Sequence, residues 1–212
     1  MKKMLLLGIA LSALCATSAM AAKDNFDRAS LGNKWVVTSG SLYITNDQLQ
    51  GSSLSIGYDK RSASDTAASA TVILNSNDLE YGAVAVGNIA GGTNAFVKIQ
   101  AADGTGKFTN GAFYTGNNGG GNYFTLNAPV PSPAKLSVSI CGTVATMKIK
   151  SADGTQKYTY DYGASVGTGG GLGTYGLISL DNYKSGAARC AADEMGATQI
   201  TRSNAKDPTL AK

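Results

Sequence analysis

The sequence predicts an all-β protein, an antiparallel β-sandwich or jelly roll with few or no helices. Three observations predict this fold class. The 212 residues include 27 glycines and 10 tyrosines but only 15% charged residues, a composition typical of exported β-proteins with many turns. Apolar residues recur two positions apart in several segments, and turn sequences separate these segments. No segment of a dozen residues after residue 21 shows an apolar stripe with the period of a helix.

The first 21 residues resemble an export signal. Two lysines precede an apolar run from Met4 to about Ala16, and the letters AMA at 19–21 match the small-x-small pattern that signal peptidases cleave. The run is shorter than the roughly 20 residues that a transmembrane helix needs. Cys15 leaves a lipoprotein signal open, although Leu14 stands where such signals have a small residue. We therefore expect a signal peptide at 1–21 and a periplasmic or extracellular location.

The rest of the chain is long enough for one domain. No proline-rich or charged linker divides it, so we expect a single β-sandwich domain at 22–202 and a loose polar tail at 203–212. Removal of the signal lowers the formal net charge from +4 to about +2, because Lys2 and Lys3 leave with it. The remaining basic residues are scattered along the sequence, which implies neither a nucleic-acid partner nor an anionic membrane.

The strands are predicted in order along the chain from apolar residues two positions apart, a period that buries one face of a strand and leaves the other wet. The segment 134–160 is the clearest unit, because two such strands meet at Cys141-Gly142 and a second turn leads to a third strand, which predicts an antiparallel meander. Turn sequences begin at residues 46, 102, 117, 141, 152 and 167. The alternating residues are Leu42 and Ile44; Val84 and Val86; Val97, Ile99 and Ala101; Leu136, Val138 and Ile140; and Ala145, Met147 and Ile149.

Two cysteines remain after the signal, Cys141 and Cys190. An even number of cysteines in an exported protein favours a disulfide, because disulfides persist outside the cytosol. A bridge that encloses about 50 residues would stabilise the fold by roughly 4 kcal/mol on the chain-entropy account. The alternative is a pair of buried free thiols, so the Cys141–Cys190 disulfide is a prediction.

Composition argues against catalysis. The sequence contains no histidine, which removes the most common general base and the usual serine and cysteine triads. Its two glutamates, Glu80 and Glu194, stand far apart. The letters GLGTYG at 171–176 fit a dinucleotide-binding pattern, but strand-like residues follow where that fingerprint needs a helix. We predict a non-enzymatic protein and interpret this glycine-rich segment as a turn.

The opening letters DNFDRASLGNKWVVTSGSLYITNDQLQG, residues 24–51, resemble the start of bacterial exported domains of the concanavalin A-like lectin/glucanase superfamily, which are akin to laminin-G-like jelly rolls. In those domains an Asp-x-Phe-x-Arg strand leads to a tryptophan, a glycine-containing turn and another strand. The resemblance continues through 96–108, 112–124 and the meander, and it closes with ADEMGATQI at 192–200. It implies a concanavalin A-like sandwich whose first and last strands lie side by side. It does not imply one activity, because relatives include glycan-binding modules, hydrolases and uncharacterised modules.

The resemblance also bears on hydrolysis and on metal binding. Laminarinase-like relatives carry a Glu-x-Asp-x-x-Glu strand, and no such run exists here. Laminin-G-like and many carbohydrate-binding relatives hold one Ca²⁺, an ion that suits oxygen ligands in exported proteins. The candidate ligands of a structural Ca²⁺ are Asp24 and Asp27 near the first strand and Asp193 near the last. The alternative is that each is a solvated surface carboxylate.

Residues 96–124 combine aromatic rings, which stack on sugars, with amides, which bind vicinal hydroxyls. Alternation places three of them opposite the buried Val97 and Ile99, and the glycine-rich segment after residue 114 supplies more. The alternative is a simple hairpin in which Tyr114 and Tyr123 form a cross-strand pair and the asparagines tolerate positive φ. The predicted ligand-binding residues are Phe96, Lys98, Gln100, Tyr114, Asn117, Asn118 and Tyr123.

The sequence therefore predicts an exported, non-catalytic module that binds a glycan or another cell-surface component on a sheet face and its rim loops. The first alternative is a structural or adhesive exported protein that acts through contacts with copies of itself or with another surface protein. A glycoside hydrolase is the less favoured alternative. No cofactor other than the candidate Ca²⁺ is indicated, and no transmembrane anchor is expected after the signal.

Overall fold

A computed structural model describes residues 21–76, 79–90, 94–101, 104–115, 121–190 and 196–201. Several sequence predictions lie outside these described residues. They are the signal peptide except for its last residue, the tail at 203–212, the loop residues Asn117 and Asn118, and the candidate calcium ligand Asp193.

Sixteen strands, numbered β1–β16 in chain order, form two sheets of the described chain. The larger sheet has nine strands, and its pairs are antiparallel except that β16 lies parallel to β13. Its spatial order is β16 (Thr198–Gln199), β13 (Gly154–Asp161), β12 (Val144–Ser151), β11 (Ala134–Cys141), β6 (Ala67–Ile73), β15 (Ser179–Gly186), β4 (Gln48–Gly51) and β3 (Leu42–Thr45), and β1 (Lys23–Asp24) also pairs with β15.

The smaller sheet has seven antiparallel strands. A short 3-10 helix, Lys60–Ser62, follows one of its strands. The spatial order is β10 (Gly121–Pro131), β9 (Lys107–Thr115), β8 (Ala95–Ala101), β7 (Glu80–Ala90), β14 (Thr168–Tyr175), β5 (Ser55–Asp59) and β2 (Trp35–Ser39).

The main core lies between the two sheets. Alternation turns every second side chain of each strand inward, as Val97 and Ile99 show in β8 and Leu136 and Val138 in β11. All four of these side chains are buried. The predicted all-β antiparallel sandwich is therefore confirmed, and among the described residues no helix is long or apolar enough to cross a membrane.

The predicted meander is confirmed as β11, β12 and β13, which pair in sequence order. The predicted turn at residue 46 is a two-residue hairpin between β3 and β4, where Asn46 and Asp47 have φ of 50° and 56°. The predicted disulfide also forms, since Cys141 and Cys190 are bonded with their Cα atoms 5.4 Å apart.

The interpretation of the glycine-rich segment at 167–176 as a turn is wrong. Most of it is β14, which lies between β7 and β5 in the smaller sheet. The glycines are needed for packing rather than for turning, because a Cβ on Gly173 would lie 2.7 Å from the ring of Phe96. The chain turns only after the strand, at Gly176, where φ is 79°.

The expected pairing of the first and last strands is also wrong. The first strand pairs with β15, in the register Lys23–Lys184, whereas the last strand pairs with β13. Three strands, β12, β11 and β6, separate β13 from β15 in the sheet. The opening segment is therefore held by β15 and by the side-chain bonds of Asp24.

Candidate ligand-binding face

The outer face of the smaller sheet carries a second apolar cluster, separate from the core between the sheets. The register of β7, β8, β9 and β10 aligns alternate residues of these strands across this face. We call it the tyrosine face and define it by Tyr81, Phe96, Lys98, Gln100, Tyr114, Tyr123 and Tyr175.

Lys98 lies at the centre of the tyrosine face and is almost fully buried. Its Nζ is 4.1 Å from the ring centroid of Tyr81, 5.3 Å from that of Tyr114 and 5.8 Å from that of Tyr123. An ammonium at these distances is attracted to the electron-rich faces of the rings. Lys98 therefore fixes the relative positions of three tyrosines that come from three different strands.

Gln100 lies one alternation further along β8 and is fully buried. Its Oε1 accepts a hydrogen bond of 3.1 Å from the hydroxyl of Tyr123. Its Nε2 has no hydrogen-bond partner among the described residues. Burial raises the pKa of Tyr123 to about 12, so its hydroxyl keeps the proton that it donates across the physiological range. The amide N–H groups of Gln100 therefore lack an acceptor among the described residues while the side chain is closed to solvent.

Small residues form the floor of the tyrosine face. Ala83 and Ala112 stand directly across from Lys98 on the two neighbouring strands, so the long lysine side chain meets no bulky neighbour in its row. Gly121 is paired with Tyr114, whose ring occupies the space that a side chain at residue 121 would fill. In the row of Lys98, the small residue Ala112 therefore separates the large side chains of Lys98 and Tyr123.

The contact at Gly121 gives a testable prediction. In Gly121→Ala the new methyl group would lie 2.6 Å from Cδ1 of Tyr114, so the ring must move away from its place beside Phe96 and Lys98. We expect the free energy of unfolding to fall by about 1–3 kcal/mol, measured by urea denaturation. Gly186→Ala is the matched control, because its methyl group would meet only Ala21 at an ordinary 3.5 Å. Equal stability of the two variants would contradict the packing described here.

The structure brings five of the predicted ligand-binding residues together on the tyrosine face: Phe96, Lys98, Gln100, Tyr114 and Tyr123. Sequence reasoning missed Tyr81 and Tyr175, whose rings stack at 5.4 Å with an interplanar angle of 9°. Alternation could have found Tyr81, because the buried Val84 and Val86 place residue 81 on the opposite face. Tyr175 was hidden because its strand was interpreted as a turn.

Asp24 does not fit a calcium ligand. Its Oδ1 accepts a hydrogen bond from the backbone N–H of Phe26, and its Oδ2 accepts bonds of 2.8 Å from Arg28 Nη2 and from Trp35 Nε1. A second guanidinium, that of Arg61, lies 3.8 Å from Oδ2. The ion pair with Arg28 already neutralises this carboxylate, and both of its oxygens accept hydrogen bonds, so neither is free to bind a cation; Arg61 has its own counterion in Asp59.

The other calcium candidates give no ligand set in the part of the chain that is described. Asp27 is exposed, and no group of three or more Asp, Glu or Cys side chains is placed to hold a metal ion among these residues. Asp193 lies outside the described residues. A structural Ca²⁺ therefore stays a prediction that rests on Asp27 and Asp193.

Comparisons with known proteins find similar proteins by structure alone. No protein family and no curated protein matches the sequence. The Crh5 transglycosylase in complex with NAG matches with a TM-score of 0.55 and 11% identity, over 81% of this chain and 86% of that chain. Lectin II from Ulex europaeus matches with a TM-score of 0.50 and 11% identity, over 80% of this chain and 99% of that chain.

A third solved structure is a longer protein. The Bacteroides ovatus xyloglucan PUL GH43B matches with a TM-score of 0.50 and 18% identity, over 77% of this chain but only 37% of that chain. At such identities the likeness concerns the fold. The two sheets, their antiparallel pairing and these likenesses together show that the chain has a lectin-type, concanavalin A-like β-sandwich fold.

Proposed function

We propose that this chain is an exported, non-catalytic binding module that recognises carbohydrate on the tyrosine face. The observation that carries the proposal is the Nε2 group of Gln100, a buried donor without a partner among the described residues. Buried polar groups are almost always hydrogen-bonded, so a donor left open on an aromatic surface suits a ligand that brings an acceptor. A sugar hydroxyl is such an acceptor.

The rings supply the other half of sugar recognition. Tyr123, Tyr175 and Tyr58 are partly exposed, and Tyr58 lies on β5 at the side of the same face. An exposed ring can stack on the apolar C–H surface of a sugar. Because Gln100 is fully buried beneath the Tyr123 hydroxyl, the ligand reaches the amide when the ring of Tyr123 turns aside, and the ring then covers the bound sugar.

Two of the similar structures support carbohydrate as the ligand class. One is a lectin, and the other is a transglycosylase in complex with NAG. They share the fold with this chain, and a shared fold raises the expectation of a related ligand without fixing it. The side chains of the tyrosine face carry the rest of the proposal.

Binding without hydrolysis is supported by the acidic residues. Glycoside hydrolysis needs a pair of carboxyl groups that flank the scissile bond. The described positions of the tyrosine face include no Asp or Glu. Glu80 is buried on the opposite side of β7, where its Oε1 accepts hydrogen bonds of 2.8 Å from Ser76 Oγ and from the backbone N–H of Leu177. These two hydrogen bonds support a structural role for Oε1 of Glu80.

Tyr123→Ala is expected to weaken carbohydrate binding about ten- to a hundredfold, because it removes both the stacking ring and the cover over Gln100. The measurement is a screen of immobilised neutral polysaccharides, followed by calorimetry on the best ligand, each with and without a chelator. The chelator arm tests the Ca²⁺ prediction separately.

Tyr43→Ala is the matched control. Tyr43 is 41% exposed and lies on β3 in the other sheet, so its removal should leave binding unchanged. Equal losses in both variants would contradict a site on the tyrosine face. If no polysaccharide binds and sizing experiments show sugar-independent multimers, the structural or adhesive function would replace the proposal.

A further inference from the structure

The outer face of the larger sheet gathers lysines that lie far apart in the sequence. One row runs across six strands, because the register pairs Lys157 with Lys148 and places Ser137 and Ser69 next to it. The same row ends at Lys184 on β15 and Lys23 on β1. Residues paired in this way share a face, so the row is continuous.

A second row lies two residues further along the strands. It contains Lys150 on β12 and Lys135 on β11, which are direct cross-strand neighbours. Partial burial and the ammonium groups of Lys184, Lys148 and Lys150 lower the pKa of Lys135 below its usual value. These cations are therefore close enough to repel one another, and an anion placed among them would relieve the repulsion.

A groove of about 290 Å³ opens along the first row, with Lys148 on one bank and Lys184 on the other, and Arg189 also lines it. Lys135 and Lys150 lie outside the groove. The floor of the groove carries hydroxyl groups, and Lys148 and Lys184 stand on opposite sides of it. These two residues are three strands apart, a separation of about 14 Å at the usual strand spacing. The hydroxyl-bearing residues that line the groove are Ser69, Ser137, Ser139, Thr146 and Ser185.

Four of the lysines on this face have no acidic partner among the described residues. In the described part of the chain, no carboxylate forms a salt bridge with Lys135, Lys148, Lys150 or Lys184. Asp181 lies at the end of the second row, and its oxygens accept hydrogen bonds from Asn182. The lysines thus present their charge to an external partner.

We infer that this groove, the lysine groove, binds an acidic polysaccharide whose repeats carry carboxylate or sulfate groups. Ammonium groups on both banks pair with the acidic groups, and the serine and threonine hydroxyls on the floor exchange hydrogen bonds with the sugar hydroxyls. The inference is independent of the tyrosine face, because the two surfaces lie on opposite sheets.

The chemistry of the groove favours a polysaccharide over other polyanions. Proteins that bind single-stranded nucleic acid stack bases on aromatic rings, and no aromatic residue lines this groove in the described chain. Proteins that lie on membranes insert apolar side chains, whereas the exposed large apolar side chains, Val37, Tyr43 and Leu177, lie elsewhere. Hydroxyl groups between cations match a polymer that itself alternates acidic and hydroxyl groups.

The test uses the full chain and polygalacturonate as the probe, with EDTA present to prevent bridging by divalent cations. We expect Lys148→Gln/Lys184→Gln to weaken binding about tenfold, because it removes one cation from each bank. Lys34→Gln/Lys107→Gln removes the same charge from two exposed lysines, one in the turn before β2 and one on β9 of the other sheet, and its binding should change less than twofold.

Three further probes distinguish an acidic polysaccharide from other ligands. Neutral dextran should not bind in the lysine groove, and duplex DNA and vesicles with anionic lipid should bind more weakly than polygalacturonate at the same salt concentration. Tighter binding of DNA or vesicles would overturn the inference. Equal losses in the two double-lysine variants would also overturn it, since net charge alone would then explain binding.

Discussion

Asp24→Ala is expected to lower the free energy of unfolding by about 3–5 kcal/mol, because it leaves the guanidinium of Arg28 without its counterion and the buried indole N–H of Trp35 without its acceptor, whereas Arg61 keeps its ion pair with Asp59. The Asp24 side chain is 3% exposed and joins Arg28 and Arg61 in ion pairs. It also accepts the hydrogen bond of Trp35, the only tryptophan, whose ring packs on Tyr183 at 4.9 Å. Urea denaturation would measure the loss.

Asp27→Ala is the matched control, because Asp27 is an exposed carboxylate three residues away. It should change stability by less than about 0.5 kcal/mol. A loss for Asp27→Ala as large as for Asp24→Ala would contradict the special role of the buried ion pair.

The same carboxylate predicts a pH dependence. Burial raises the pKa of Asp24, but hydrogen bonds from Arg28, Trp35 and the backbone of Phe26 outweigh burial and lower it below its usual value. A carboxylate with a lowered pKa stabilises the fold at pH values above its unfolded pKa of about 3.9. This stabilisation is lost as the pH falls through the lowered value. In Asp24→Ala, the free energy of unfolding should therefore fall less steeply as the pH is lowered than in the unchanged protein.

The sheets were largely predictable from sequence, because one buried face imposes a period of two on apolar residues. This signal predicted β3, β7, β8, β11 and β12. It failed for β14, since glycine carries no side chain that could show alternation. The glycines of β14 instead leave space for partners from other strands, as Gly170 does for the hydroxyl of Tyr183 and Gly173 for Phe96.

The tyrosine face was partly predictable for the same reason. Residues on one strand, such as Phe96, Lys98 and Gln100, share a face whenever the strand assignment is right. Residues from other strands join them only through register, which depends on pairing between distant segments. Alternation could place Tyr81 on the outer side of its own strand, but only the register of β7 places it beside Gln100 and Tyr175.

The lysine groove shows the limit of reading charge along a sequence. The basic residues looked scattered, because Lys23, Lys148 and Lys184 are separated by many residues. Antiparallel pairing in the spatial order β1, β15, β6, β11 and β12 brings these positions into one row. A charge pattern on a sheet is a property of register, and composition alone gave no sign of it.

Removal of the disulfide should lower the free energy of unfolding by about as much as Asp24→Ala does. Removing the bridge with Cys141→Ser/Cys190→Ser is expected to lower the free energy of unfolding by about 4 kcal/mol, because the bonded cysteines are separated by 49 residues and their link restricts the unfolded chain. Urea denaturation of the oxidised protein and of the variant would measure the difference.

Reduction of the unchanged protein gives an independent measurement of the same difference. Both changes remove the same link between residues 49 positions apart in the unfolded chain, so the two measured losses of free energy should agree. In both cases the free energy of unfolding should also depend more steeply on urea, because the unfolded chain expands. The folded state should change little at the tyrosine face, whose strands lie in the other sheet. Intact carbohydrate binding by the variant, at a urea concentration where it stays folded, would separate the role of the disulfide in stability from the role of the face in recognition. A loss below about 1 kcal/mol would contradict the chain-entropy account, because the unfolded chain would then be restricted without the bridge.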